Sequence, residues 1–256
     1  MCLLFFSYRT TPGYRLVVAA NRDEFLARPT AGLDFLDREK TLLAGQDLQG
    51  GGTWLGITGG LRFAAITNYR ESNANRSKAP SRGAILMNYL TGEMDAGEYL
   101  QDLAVKASIY NGFNLIVGDS NDLYYFSNKL SAPRQLDPGF YGLSNHLLDT
   151  PWPKVVRGKE LLRPYMVETD HVDPLSLLEL LADSHCPPDH QLPETGVGLV
   201  WERLLGSIFI DGANYGTRSS AVITVTDARA VEFTEKTLHR AADKEIASEL
   251  VCLTLN

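Results

Sequence analysis

The feature that most constrains this chain is its opening, where two apolar runs of strand length, residues 2–6 and 16–20, flank Thr11-Pro12-Gly13. Proline fixes φ and glycine tolerates positive φ, so the tripeptide turns the chain and the two runs pair as an antiparallel hairpin. A turn near Pro12 matches residues whose numbers sum to about 23, which sets Cys2 opposite the stretch from Ala20 to Arg22. A thiol at one strand end thereby meets the polar quartet Asn21, Arg22, Asp23 and Glu24 at the other.

Three further pairs of apolar runs repeat the pattern. Residues 53–57 and 63–67 flank Thr58-Gly59-Gly60, residues 114–117 and 123–126 flank Gly118-Asp119-Ser120-Asn121-Asp122, and residues 221–225 and 231–233 flank Thr226-Asp227-Ala228-Arg229. Four hairpins predict antiparallel sheet. Helical periodicity falls between them. Ser81 is placed to cap a helix bearing Ile85, Leu86, Tyr89 and Leu90, residues 96–107 carry Tyr99, Leu100 and Leu103, Pro153 opens a third helix, and Asp173 caps a fourth over 174–182. Residues 184–198 lack periodicity and read as the longest loop. The order is not the strand-helix alternation of a doubly wound fold, so we expect an α+β protein with sheets packed face to face and helices outside, as one domain over residues 1–256.

Composition removes some function classes. Against 31 acidic residues stand 24 basic ones, a formal charge of -7, so no broad positive field draws phosphate backbones and nucleic acid is not an expected partner. No stretch reaches the roughly 20 apolar residues of a membrane helix, and the apolar start is too short for a signal-peptide core. Three widely spaced cysteines fit neither a disulfide framework nor a metal knuckle, and a reducing, cytoplasmic setting is the expectation.

The chemistry concentrates near Cys2. A guanidinium at Arg22 favours a thiolate, and an acid at Asp23 orients it or holds a proton. Removal of Met1 would place an α-amine on the same residue, and such an amine ordinarily titrates at roughly 7.7 to 8.0, which suits a general base. The alternative is a charged strand end beside an inert, buried cysteine. Tyr141 to His146 combine glycine with several donors, and Asn145 is a candidate oxyanion residue. Tyr215 and Arg218 lie where another strand begins. Gly50-Gly51-Gly52-Thr53-Trp54 precedes a strand and lacks the P-loop lysine, so it reads as close backbone packing beside the site. His146, His185 and Cys186, the last two in a proline-rich loop, are weak candidates for axial ligands of haem iron. No paired histidines at metal spacing occur.

Met1-Cys2, Ala19-Ala20-Asn21-Arg22-Asp23-Glu24-Phe25, Arg28-Pro29, Gly51-Gly52-Thr53-Trp54-Leu55-Gly56, Thr67-Asn68-Tyr69, Tyr110-Asn111-Gly112-Phe113-Asn114-Leu115, Tyr141-Gly142-Leu143-Ser144-Asn145, Thr150-Pro151-Trp152 and Tyr215-Gly216-Thr217-Arg218 together resemble the NRDE family, also called the transport and Golgi organisation protein 2 family. That family resembles, more distantly, the N-terminal-nucleophile hydrolases of choloylglycine hydrolase type. The resemblance implies a four-layer αββα sandwich, with Cys2 at the nucleophile position, Arg22 and Asp23 as its supporting pair, Asn145 at the oxyanion and Arg218 as a late arginine. Arg22 and Asp23 are adjacent here, whereas the hydrolases separate that pair by two residues. The nearer kinship implies intracellular trafficking of haem, with lipid and acyl-CoA handling also associated. The expectation is a carrier of a small hydrophobic cargo, haem foremost, in a pocket of Cys2, Asn21, Glu24, Trp54, Asn68, Tyr141, His146 and Tyr215. The alternative is a Cys2 hydrolase of an amide or thioester bond, which requires no cofactor. Oligomeric state is not encoded in these motifs.

Overall fold

The computed structural model describes residues 2–71, 76, 79–240 and 246–255. Strands β1 (Cys2–Thr11) and β2 (Tyr14–Phe25) form the opening hairpin, longer than the apolar runs alone, with Cys2 paired to Arg22 and Gly13 in the left-handed region at φ 77°. Alternation assigns their faces. Leu4, Phe6, Tyr8, Leu16, Val18 and Ala20 join the core between the sheets, while Leu3, Phe5, Val17 and Ala19 pack against helices.

The chain continues through β3 (Thr30–Phe35), β4 (Leu42–Asp47), β5 (Leu55–Thr58), β6 (Phe63–Asn68), α1 (Gly83–Leu90), α2 (Ala96–Lys106), β7 (Phe113–Gly118), β8 (Leu123–Ser127), β9 (Arg134–Gln135) and β10 (Gly139–Leu143). It ends with α3 (Pro153–Met166), α4 (Pro174–Leu180), α5 (Leu199–Leu204), β11 (Tyr215–Thr226), β12 (Val231–Arg240) and β13 (Ile246–Leu255). One antiparallel sheet runs β10-β1-β2-β11-β12-β13 and the other β3-β4-β5-β6-β7-β8-β9. Helices α3 and α4 cover the outer face of the first sheet, and α1 and α2 pack on β5, β6 and β8 of the second. The architecture is the four-layer αββα sandwich, mixed α+β.

All four expected hairpins form. Five strands were missed: β3 and β4, whose alternation is short, β9, of two residues, β10, which is interrupted by glycines, and β13, which is exposed along most of its length. Ser81 does not cap α1. That helix starts after Arg82 with no side-chain cap, and the Ser81 hydroxyl turns to the Gly51 carbonyl at 3.4 Å. Asp173 caps α4 as expected, accepting from Leu175 and Ser176 N–H. The glycine run at 50–52 does serve close packing: a Cβ on Gly52, at φ 88°, would stand 2.5 Å from the Gly83 carbonyl. The loop over 184–198 holds one short 3₁₀ turn, Asp189–Gln191.

Candidate functional site

Where β1 begins and β2 ends, the two sheets part around a cavity of about 530 Å³ whose wall includes Cys2, Arg22, Asp23, Glu24, Trp54 and Asn68. Arg22 continues the even-numbered face of β2 and so enters the space between the sheets. Its guanidinium donates to Thr30 Oγ1 at 3.0 Å and lies 3.5 Å from Asp47 Oδ2. Arg28 Nε bonds the same Asp47 oxygen at 2.8 Å. Burial pushes the Asp47 carboxyl up, but the Gly50 N–H and the two arginines prevail and hold it below the usual range. Arg76 and Arg82 complete the wall, anchored on the carbonyls of Ser108 and Tyr110, and of Gly112. Among the described residues of this wall, four guanidiniums face three carboxylates, with Trp54, Ile66, Ala79 and Pro80 as apolar surface.

The Cys2 thiol is 6% exposed, and burial pushes it up to about 11. The nearby Arg22 charge pulls downward, as expected of a guanidinium beside a thiol, but burial outweighs it and the net shift is upward. Asp23 approaches from the other face. Its Oδ1 accepts from Thr217 Oγ1 at 2.8 Å, its carbonyl from the Tyr215 hydroxyl at 2.9 Å, and burial raises its carboxyl. Although neighbours on a strand point oppositely, both Arg22 and Asp23 border the cavity, because Cys2 pairs with Arg22 and Asp23 lies one step beyond.

Other expected site residues are placed elsewhere. Asn21 faces the helices, donating to the carbonyls of Leu181 and Ile208 and accepting from Ser220 Oγ, so it fastens the layers together. Arg218 is the extra residue of a bulge, since Thr217 opposes Asp23 and Ser219 opposes Arg22; its guanidinium gathers the carbonyls of Phe25, Leu26 and Arg28. Tyr141 stacks on Phe6 at 5.2 Å and bonds the Asp137 carbonyl, on a separate cavity. Tyr215 is buried beneath the wall. Asn145 lies two residues beyond the end of β10, whose last residue, Leu143, pairs with Leu4. The Asn145 amide donates to the Asn68 carbonyl at 3.0 Å.

His146 packs between Tyr69 and Trp152 with Nδ1 on Thr150 Oγ1, and burial lowers its pKa. His185 lines a different cavity beside α3, and the exposed Cys186 thiol turns to the Pro187 and Arg203 carbonyls. Among the described residues, no group of three or more His, Cys, Asp or Glu side chains is arranged to hold a metal ion.

A buried charge cluster behind Asp23 escaped the sequence. Arg70 Nη1 pairs with Glu202 Oε2 at 2.8 Å, and the guanidinium covers the Trp152 ring at 4.8 Å. Lys154, buried in the first turn of α3, is pushed down to about 7 by burial first and by the Arg70 charge second. Its members lie on β2, after β6, on α3 and on α5, so no local motif announces them.

The family described as Transport and Golgi organisation 2 matches residues 1–240. The chain is similar to the bovine Transport and Golgi organization protein 2 homolog, 36% identical over 93% of each chain, and to the human homolog, 35% identical over 96% of this chain and 95% of that one. Among solved structures it is similar to the mutant C2A conjugated bile acid hydrolase from Clostridium perfringens, with a TM-score of 0.51 at 10% identity, covering 99% of this chain and 97% of that one. That likeness fixes the N-terminal-nucleophile fold.

Proposed function

The chain belongs to the Transport and Golgi organisation 2 family, and on that premise we propose that it is a cytoplasmic carrier of a hydrophobic small molecule with anionic groups, haem foremost, held in the Cys2 cavity. One observation carries the reading: Arg22, Arg28, Arg76 and Arg82 surround a space with an apolar wall at Trp54, Ile66, Ala79 and Pro80. Guanidiniums recognise carboxylates by charge-assisted hydrogen bonds, and the apolar wall accepts a planar ring, so two carboxylates on one edge of a macrocycle match both features. No helix among the described residues is long and apolar enough to cross a membrane.

Titration of the purified protein with haem, followed at the Soret band, tests the carrier role. We expect a saturable change with one haem per chain, weakened about tenfold or more by Arg82→Ala, as for loss of one charge-assisted contact. A titration with no saturable component, or one indifferent to arginine substitutions in the cavity wall, refutes it.

A second reading rests on the fold together with Cys2. The similar bile acid hydrolase carries its C2A substitution at the same sequence number as this thiol. In a hydrolase, the Cys2 sulfur would bond to the carbonyl carbon of an amide or thioester, its proton would pass to the leaving nitrogen or sulfur as that bond breaks, and water would then release the acid. Intact mass decides: native protein that keeps Met1 and forms no adduct with a thioester probe excludes this reading.

A further inference from the structure

Strand β13 ends the six-stranded sheet with an open outer edge. Among the described residues, no strand pairs with that edge and no hydrogen bond from a loop reaches it. The other sheet edges are blunted. β9 is two residues long and carries Arg134, and β3 is bulged between Ala31 and Asp34. β10 is interrupted by Gly139 and Gly142, and Gly142 donates to Asp149 Oδ1 at 2.9 Å while accepting from the Asp149 N–H at 2.8 Å. β13 has none of these devices. It pairs with β12 without a register shift, and its residues 247–255 contain no proline, glycine, lysine or arginine and a single charge, Glu249.

Its faces are thinly covered as well. β12 lies over β3, the last strand of the facing sheet, so β13 projects one strand beyond the layer beneath it. On the outer side α3 sits on β10 and β1 and α4 on β11, short of β13. Yet the strand is apolar on both faces. Val251 and Leu253 are partly buried at the rim of the core between the sheets and Leu255 lies within it, while Leu250, 53% exposed, shares the other face with the exposed Cys252.

We propose that β13 is a self-association edge, pairing antiparallel with β13 of a second copy of this chain and joining two six-stranded sheets into one. The reading is independent of the Cys2 cavity, whose wall contains no residue of β13. A two-fold axis normal to the sheet keeps every residue on its own face, and residues 247–255 overlap in full only with Val251 on that axis. Leu250 then meets Cys252 of the second copy, and Ser248 meets Thr254 of the second copy, so apolar faces apolar and hydroxyl faces hydroxyl. Val251 and Leu253 of both chains close the open rims of the two cores. Glu249 faces Leu253 of the second copy, and the two glutamates stand four residues apart along the strand, roughly 13 Å, beyond the screening length at physiological salt. A segment of a different protein would have to be matched to this edge; another β13 is matched by symmetry.

Sedimentation velocity of the full chain under reducing conditions, at about 1 and about 50 µM, tests the pairing. The wild type is expected to pass from monomer to dimer across that range. Leu250→Lys with Cys252→Lys sets lysine against lysine at both outer pairs and should leave a monomer at either concentration, whereas Leu250→Lys with Cys252→Glu sets lysine against glutamate and should restore the dimer. Both positions are exposed, so neither double change enters the core. A wild type that is monomeric at the higher concentration overturns the proposal, and that is also the outcome if the edge serves a strand of another protein instead. A dimer that survives the double lysine change overturns it by placing the contact elsewhere, and a lysine–glutamate variant that stays monomeric overturns the register centred on Val251. Should the variants not fold, hydrogen exchange of the wild type decides: amides of residues 247–255 should slow as concentration rises, and exchange there that ignores concentration overturns the pairing.

Discussion

Asn21 and Arg22 are chain neighbours that do opposite work, and the reason is the two-residue period of a strand. Arg22 and Glu24 enter the inter-sheet cavity, whereas Asn21 bonds two loop carbonyls across the helical layer. The quartet was legible as polar and as facing Cys2; which members reach the cavity was not, because that depends on which face the second sheet covers. Asn21→Leu leaves the Leu181 and Ile208 carbonyls and the Ser220 hydroxyl without their partner. It should cost about 3 kcal/mol in urea unfolding, at 1–3 kcal/mol for each buried group so orphaned. Cys2 yields a sharper expectation. Cys186 and Cys252 are exposed, but the Cys2 thiol is pushed from 9.0 to about 11, so its thiolate fraction at pH 7.4 is about a hundredfold lower. Peptide mapping after iodoacetamide pulses should show Cys186 and Cys252 labelled first. Cys2 labelling should climb until the pH passes about 11; an inflection near 8 would show that the thiol is not desolvated as described.

At the scale of elements, the opening hairpin and the first four helices were readable because each is set by local rules: turn chemistry, caps and apolar periodicity. The strands β3, β10 and β13 were not, because their stability comes from pairing with β4, β1 and β12 rather than from their own composition. The Arg218 bulge and the Arg70–Glu202 pair were equally hidden, since both depend on contacts made after the sheets assemble. The seat of α3 on the first sheet shows how strict such assembly is. Gly158 lies over the Phe5 ring so closely that a Cβ there would stand 2.0 Å from Phe5 Cζ, and Phe5 is fully buried among strands and helices. Gly158→Ala improves helix propensity by up to about 1 kcal/mol yet forces the helix off the sheet, so we expect a net loss of about 2–3 kcal/mol. Differential scanning calorimetry checks this; a variant as stable as the parent would mean that α3 is free to shift.

At the scale of the whole molecule, the sandwich stays closed by more than apolar burial, because Glu235 of β12 reaches across to the other sheet. Its Oε1 accepts from the Leu33 N–H of β3 at 2.8 Å and from Thr237 Oγ1 at 3.1 Å, and the residue is 2% exposed. Burial pushes its carboxyl above the ordinary 4.5, against the pull of these donors and of Arg22. The sign follows from proton counts. Below 4.5 both folded and unfolded chains hold the proton and nothing is lost; above it the unfolded chain releases the proton first, so stability drains until pH passes the raised folded value and then levels. Glu235→Gln keeps an oxygen for Leu33 without titrating. Its midpoint minus that of the wild type should therefore be smallest near pH 4, widen as pH climbs, and plateau once the wild-type carboxyl has ionised. Other carboxylates cancel in the difference, so thermal scans of the two proteins across pH 4–9 isolate this one bridge. A gap that stays constant over that range would mean that Glu235 ionises as readily folded as unfolded, and that the two sheets admit water where β12 meets β3.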